Sequence, residues 1–165
     1  MKESDILIAQ EAGVYRIKID GRANFEYGPP LRSLAKNLEN EKFEMISVNL
    51  EKCTGMDSTF MGILAMLGLR AKKINAAMEI VNAGETNTAL LKGLGLKNLF
   101  DFVDREEDKV FNWNKAGKEG EKLDKAETVV DAHDTLMDVS PENVPKFKTV
   151  VDFAKKDLEN LKGKS

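Results

Sequence analysis

The sequence predicts an α/β fold, a mixed and partly parallel sheet packed by helices, followed by a C-terminal two-helix extension. Three observations carry that expectation. Short runs at residues 6–8, 14–19, 45–50 and 78–81 are apolar or alternate apolar with polar residues, as strands do. Between them lie stretches with helical spacing of their apolar residues, and strands alternating with helices build a parallel sheet. From about Asn114 the composition changes and two amphipathic helical patterns follow. The expected division is therefore a domain over 1–113 and an extension over 114–165.

The elements follow in order. Tyr15, Ile17 and Ile19 alternate with Arg16, Lys18 and Asp20, and Glu11-Ala12-Gly13 turns the chain between two strands, which predicts a hairpin with one wet face. Pro29-Pro30 suits the first turn of a helix, where no amide hydrogen is needed. Leu31, Leu34, Ala35 and Leu38 mark its apolar face, and it ends near Asn40. Residues 45–50 form a central strand, with Ile46, Val48 and Leu50 on one side. The helix expected over 58–73 is apolar on two faces, so it is buried against both a sheet and a neighbouring helix. Arg70, Lys72 and Lys73 complement the dipole at its end.

A strand over 78–81 is followed by a helix with Thr86 as its expected cap and Gly95 as its stop. Residues 99–103 give a last strand. Lys115 to Gly120 is polar and reads as a linker or a frayed helix start. The first helix of the extension carries Leu123, Ala126, Val130, His133 and Met137. The second, set off by Ser140-Pro141, carries Phe147, Val150, Val151, Ala154, Leu158 and Leu161. The pair could form a hairpin, dock on the domain, or join two subunits as a homodimer.

Bulk properties remove several classes of function. The net charge of −3 divides as −1 over 115–165 (ten Lys, eleven Asp or Glu) and −2 over the rest, and neither part offers the concentrated basic face that direct nucleic-acid binding needs. Cys53 is the only cysteine, so an internal disulfide is impossible and a zinc cluster is disfavoured. A reducing cytoplasm is the expected setting. The N-terminus is not a secretion signal, and the longest apolar run, residues 60–69, is too short to span a bilayer. No membrane insertion is expected.

The polar knot Met56-Asp57-Ser58-Thr59-Phe60-Met61-Gly62 stands between the central strand and the most apolar helix. Asp, Ser and Thr all cap helices well. One of the three should cap, leaving at least one hydroxyl facing solvent at the positive end of the helix dipole, where a phosphate is held rather than repelled. Ser58 is the candidate acceptor. A plain cap is the commoner meaning of such a triplet. No catalytic constellation accompanies it: there is no Gly-x-Ser-x-Gly elbow, and the one histidine, His133, reads as a helix-face residue in the extension. No cofactor is expected either. Gly93-Leu94-Gly95 lacks the third glycine and the preceding strand of a dinucleotide loop, and no P-loop lysine pattern exists. Met56, Met61 and Met66 read as core fillers rather than a metal site, and Cys53 as a packing residue.

The strand Ile46-Ser47-Val48-Asn49-Leu50, a short loop, then Met56-Asp57-Ser58-Thr59 and a glycine-containing apolar helix resembles the STAS domain of bacterial anti-sigma-factor antagonists. The similarity spans roughly residues 5–111, including Leu90-Leu91-Lys92-Gly93-Leu94-Gly95-Leu96 before Leu99-Phe100. The resemblance implies a phosphorylation-gated binding module with no catalysis of its own. Ser58 would be phosphorylated by a partner serine kinase that doubles as an anti-sigma factor, and a serine phosphatase would reverse it. Asp57, Ser58, Thr59, Phe60 and Met61 would form the partner-binding stretch. Phe60 stands where family members commonly have glycine; an exposed ring there would join a hydrophobic contact or crowd the kinase. The alternative is a non-phosphorylated STAS scaffold subunit of a transporter or sensory assembly, with Ser58 only a cap.

Overall fold

The computed structural model describes residues 5–23, 28–107, 111–116 and 122–163. The chain opens with β1 (Asp5–Glu11) and β2 (Val14–Ala23), paired antiparallel through a tight turn in which Ala12 and Gly13 both have positive φ. Two residues in that conformation match the right-handed twist of the strands they join. Helix α1 (Gly28–Leu38) crosses to β3 (Met45–Met56), α2 (Ser58–Lys73) to β4 (Ala77–Val81), and α3 (Gly84–Gly93) to β5 (Asp101–Val103).

These strands form one six-stranded sheet in the order β5-β4-β3-β2-β1-β6, where β6 is Asn114–Ala116. Strands β2, β3, β4 and β5 are parallel; β1 and β6 run antiparallel to their neighbours. The three crossovers step the same way across the sheet, so right-handed connections place their helices on one face. Tyr15, Ile17, Ile19, Ile46, Val48, Leu50 and Ile80 point into that core. The opposite face is polar, and on it Ser47, Asn49 and Glu79 are nonetheless buried.

Several boundaries move from their sequence-based positions. Strand β3 runs on through Met56, because β2 continues beside it to Ala23 with register shifts after Lys18 and Gly21; the expected loop after Leu50 is strand. Residues 114–116, placed with the extension, pair with β1 as the sheet's edge. Thr86 lies inside α3 rather than capping it, and the cap residue is Ala83, which makes no side-chain cap bond. Gly95 does end the α3 segment, at φ +77°. The remainder of the expected linker, 117–120, lies outside the described residues.

The extension forms α4 (Lys122–Val139), a short 3-10 turn (Pro141–Asn143) and α5 (Val144–Lys162). Of the arrangements open to these helices, the structure shows a hairpin docked on the domain. Ala132 and Leu136 of α4 are fully buried in the main core cluster. Along α5, Val151 is buried, whereas Val150, expected on the apolar face, is 42% exposed and Phe153 is 68% exposed.

Candidate functional site

The site forms where β3 hands the chain to α2. The amide of Asp57 donates to the Ala23 carbonyl (3.1 Å), which ends the strand pairing, and Asp57 itself is extended (φ −91°, ψ 173°). Its Oδ1 accepts from the Phe60 amide at 2.9 Å. Asp57 is thus the cap among the three candidates, and it satisfies one of the amides that a helix start leaves unpaired. On the other side of β3, the Asn87 amide group of α3 donates to the Cys53 carbonyl (3.0 Å), which ties down the strand's approach. Cys53 is buried, and burial pushes its thiol pKa up, so it behaves as a packing residue.

Ser58 is the first residue of α2, and its hydroxyl does not face open solvent. Ser58 Oγ lies 2.7 Å from Nε2 of His133 on α4. His133 Nδ1 lies 2.7 Å from the Val129 carbonyl. A carbonyl only accepts, so that bond places a proton on Nδ1; in the neutral ring Nε2 is then the acceptor and Ser58 the donor. The imidazole is 2% exposed and meets the Phe147 ring edge-on at a centroid distance of 5.1 Å.

Three further contacts fix α4 over this helix start. A Cβ on Gly62, one turn beyond Ser58, would lie 2.4 Å from the Ala132 carbonyl oxygen, so α2 and α4 touch through their main chains. Gly28 at the start of α1 leaves similar room for Thr128. Arg32 of α1 pairs with Asp131 (2.6 Å) and Glu127 (3.4 Å) of α4. Beyond α4, the Asn143 amide group donates to the Leu94 and Leu136 carbonyls, which anchors the turn of the hairpin to the end of α3.

The five residues expected to meet a partner divide. Asp57 and Ser58 are half-buried, whereas Thr59, Phe60 and Met61 are 5%, 0% and 6% exposed. The expectation of an exposed Phe60 is therefore corrected: its ring is part of the core and does not crowd Ser58 from outside. His133 is the residue that sequence reasoning missed. The available signal was Ser58 and Gly62 on one helix face, with a small residue, Ala132, next to the histidine on an amphipathic helix.

Chemically, hydroxyl and imidazole stand within the reach of a nucleophile and its base. The imidazole is sealed in, however, and main-chain contact at Gly62 denies a substrate any approach to Oγ from that side. Among the described residues, no group of three or more His, Cys, Asp or Glu side chains could hold a metal ion, and no helix is long and apolar enough to cross a membrane.

No protein-family profile matches the chain, and no curated protein matches it in sequence. Among solved structures it is similar to the anti-sigma factor antagonist SpoIIAA in its unphosphorylated form. The TM-score is 0.52 and the identity 11%, over 63% of this chain and 90% of that one. The chain has the STAS fold of that protein. The match leaves more than a third of this chain outside it.

Proposed function

We propose that this chain is an anti-sigma-factor antagonist of the partner-switching type, a cytoplasmic binding module gated by phosphate on Ser58. The observation that carries the reading is the place of Ser58: directly after the capping Asp57, at the end of a central parallel strand, in the first turn of the buried helix of a STAS fold. A phosphate there adds about −1.5 to −2 charges at neutral pH. The positive end of α2 stabilises it locally, so the helix itself need not melt. Beside the Asp57 carboxylate the same charge makes docking against an acidic or apolar partner surface costly. Phosphate therefore acts on what docks against the start of α2 rather than on α2 itself.

In this reading the unphosphorylated chain binds a serine kinase that is also an anti-sigma factor, and a phosphatase restores that form. The chain itself is a switch and a kinase substrate. Incubation with the kinase and ATP should place phosphate on Ser58 by mass spectrometry, and Ser58→Asp should abolish partner binding. Absence of label at Ser58, or unchanged binding by Ser58→Asp, would sink the proposal.

A constitutive scaffold within a transporter or sensory assembly is the second reading. It is favoured by the engagement of the Ser58 hydroxyl with His133 and by the burial of Thr59, Phe60 and Met61. A partner complex indifferent to Ser58→Asp would select it.

A further inference from the structure

We propose that the α4–α5 hairpin is an intrachain latch over Ser58, such that a docked α4 and a phosphate on Ser58 exclude one another. The inference rests on the reading of Ser58 as phosphoacceptor and adds the regulation of that site. Ser58 and Gly62 are one turn apart and present one face of α2 to α4. At the first position Nε2 of a 2%-exposed His133 stands 2.7 Å from Oγ; at the second the Ala132 main chain leaves no room even for a Cβ.

Transfer of the phosphoryl group from ATP forms an Oγ–P bond, breaks the bond to the departing ADP and sends the hydroxyl proton to the kinase's base. The three added oxygens then need the volume that the imidazole fills. A side-chain rotation of His133 would not be enough for a kinase to reach Oγ, because the obstacle one turn away is backbone. Arg32 pairs with Glu127 and Asp131 of α4 only while that helix is docked. The latch is thus held by Arg32 at one place, by Ser58 at a second and by Ala132 and Leu136, which are buried in the main core. A kinase or another partner that uses this face of α2 competes with α4 for it, and the hairpin must leave before Ser58 is modified.

Hydrogen–deuterium exchange on the full chain tests the latch without any kinase. In Ser58→Glu, amides of α4 and α5 should exchange at least tenfold faster than in the wild type, with β3 and β4 unchanged; Ser58→Ala should stay closed. Arg32→Glu should open the hairpin in the same way, and Arg32→Glu with Asp131→Arg should restore protection to within about twofold. Exchange of α4 in Ser58→Glu within twofold of the wild type would overturn the proposal. So would faster exchange of β3 and β4 together with α4, which would make the hairpin an inseparable part of the core. A chain never labelled at Ser58 by a kinase would remove the switch, while these exchange patterns would still report on the latch.

Discussion

At the scale of single residues, the polar triplet at the start of α2 separates into three unlike roles. Asp57 caps, Ser58 reaches across to His133, and Thr59 is buried. Only the middle one is a hydroxyl with chemistry to offer. Asp57→Ala removes the bond to the Phe60 amide and should lower unfolding stability by about 1 kcal/mol, as loss of a helix cap usually does. Phe60→Ala should cost more, about 3–5 kcal/mol, because a fully buried aromatic leaves a cavity that its neighbours fill only in part. Urea denaturation of both variants checks the order. A Phe60→Ala loss near that of a surface substitution, about 0.5 kcal/mol or less, would contradict the burial described for the ring.

At the scale of elements, the contact of α2 with α4 depends on a missing side chain. An added methyl at Gly62 would press on the Ala132 carbonyl, and that atom belongs to a hydrogen-bonded helix, so it yields little. Gly62→Ala should destabilise by about 1–3 kcal/mol, the usual range for overpacking. Gly93, at the end of α3, is the control, since a Cβ there meets nothing within 4 Å. Gly93→Ala should be neutral or stabilising by up to about 1 kcal/mol, from the better helix propensity of alanine. Thermal melts of the two variants should therefore shift in opposite directions, or the Gly93 variant not at all.

At the scale of the whole molecule, the polar face of the sheet is closed by a charge network that links β3, β4 and the segment after β5. Glu79 is 7% exposed; it accepts from the Ser47 hydroxyl (2.8 Å) and from Arg105 (2.9 Å to Nη1). Asn82 in turn accepts from the Arg105 amide at 2.9 Å and holds that segment in place. The Arg105 hydrogen bonds, with help from Ser47, keep the Glu79 carboxyl below its ordinary value of 4.5 although burial works the other way. A depressed carboxylate contributes stability that is full above the unfolded-state pKa and is lost as pH falls through the folded-state value. The chain should therefore lose stability as pH drops below about 4.5. Glu79→Gln should flatten that acid limb in denaturation midpoints measured across pH; an unchanged limb would mean that other carboxylates set it.

Much of this architecture was legible in the residues themselves. Alternation located β2 and the first half of β3, a short, mostly apolar run located β4, the apolar run and its flanking charges located α2 at its full extent, and Ala12-Gly13 located the hairpin turn. These signals are local, because strand and helix periods and turn conformations are properties of neighbouring residues. Strand β6, the extension of β3 through Met56, the burial of Phe60 and the pairing of Arg105 with Glu79 were not legible, since each depends on a partner distant in sequence. The same division runs through the candidate site. The order of residues alone marked Asp57 and Ser58 at a helix start, with a hydroxyl to spare. Only the docking of α4 on α2 decided where that hydroxyl points, because Ser58 and His133 stand 75 residues apart and meet only through helix packing that leaves Gly62 no side chain.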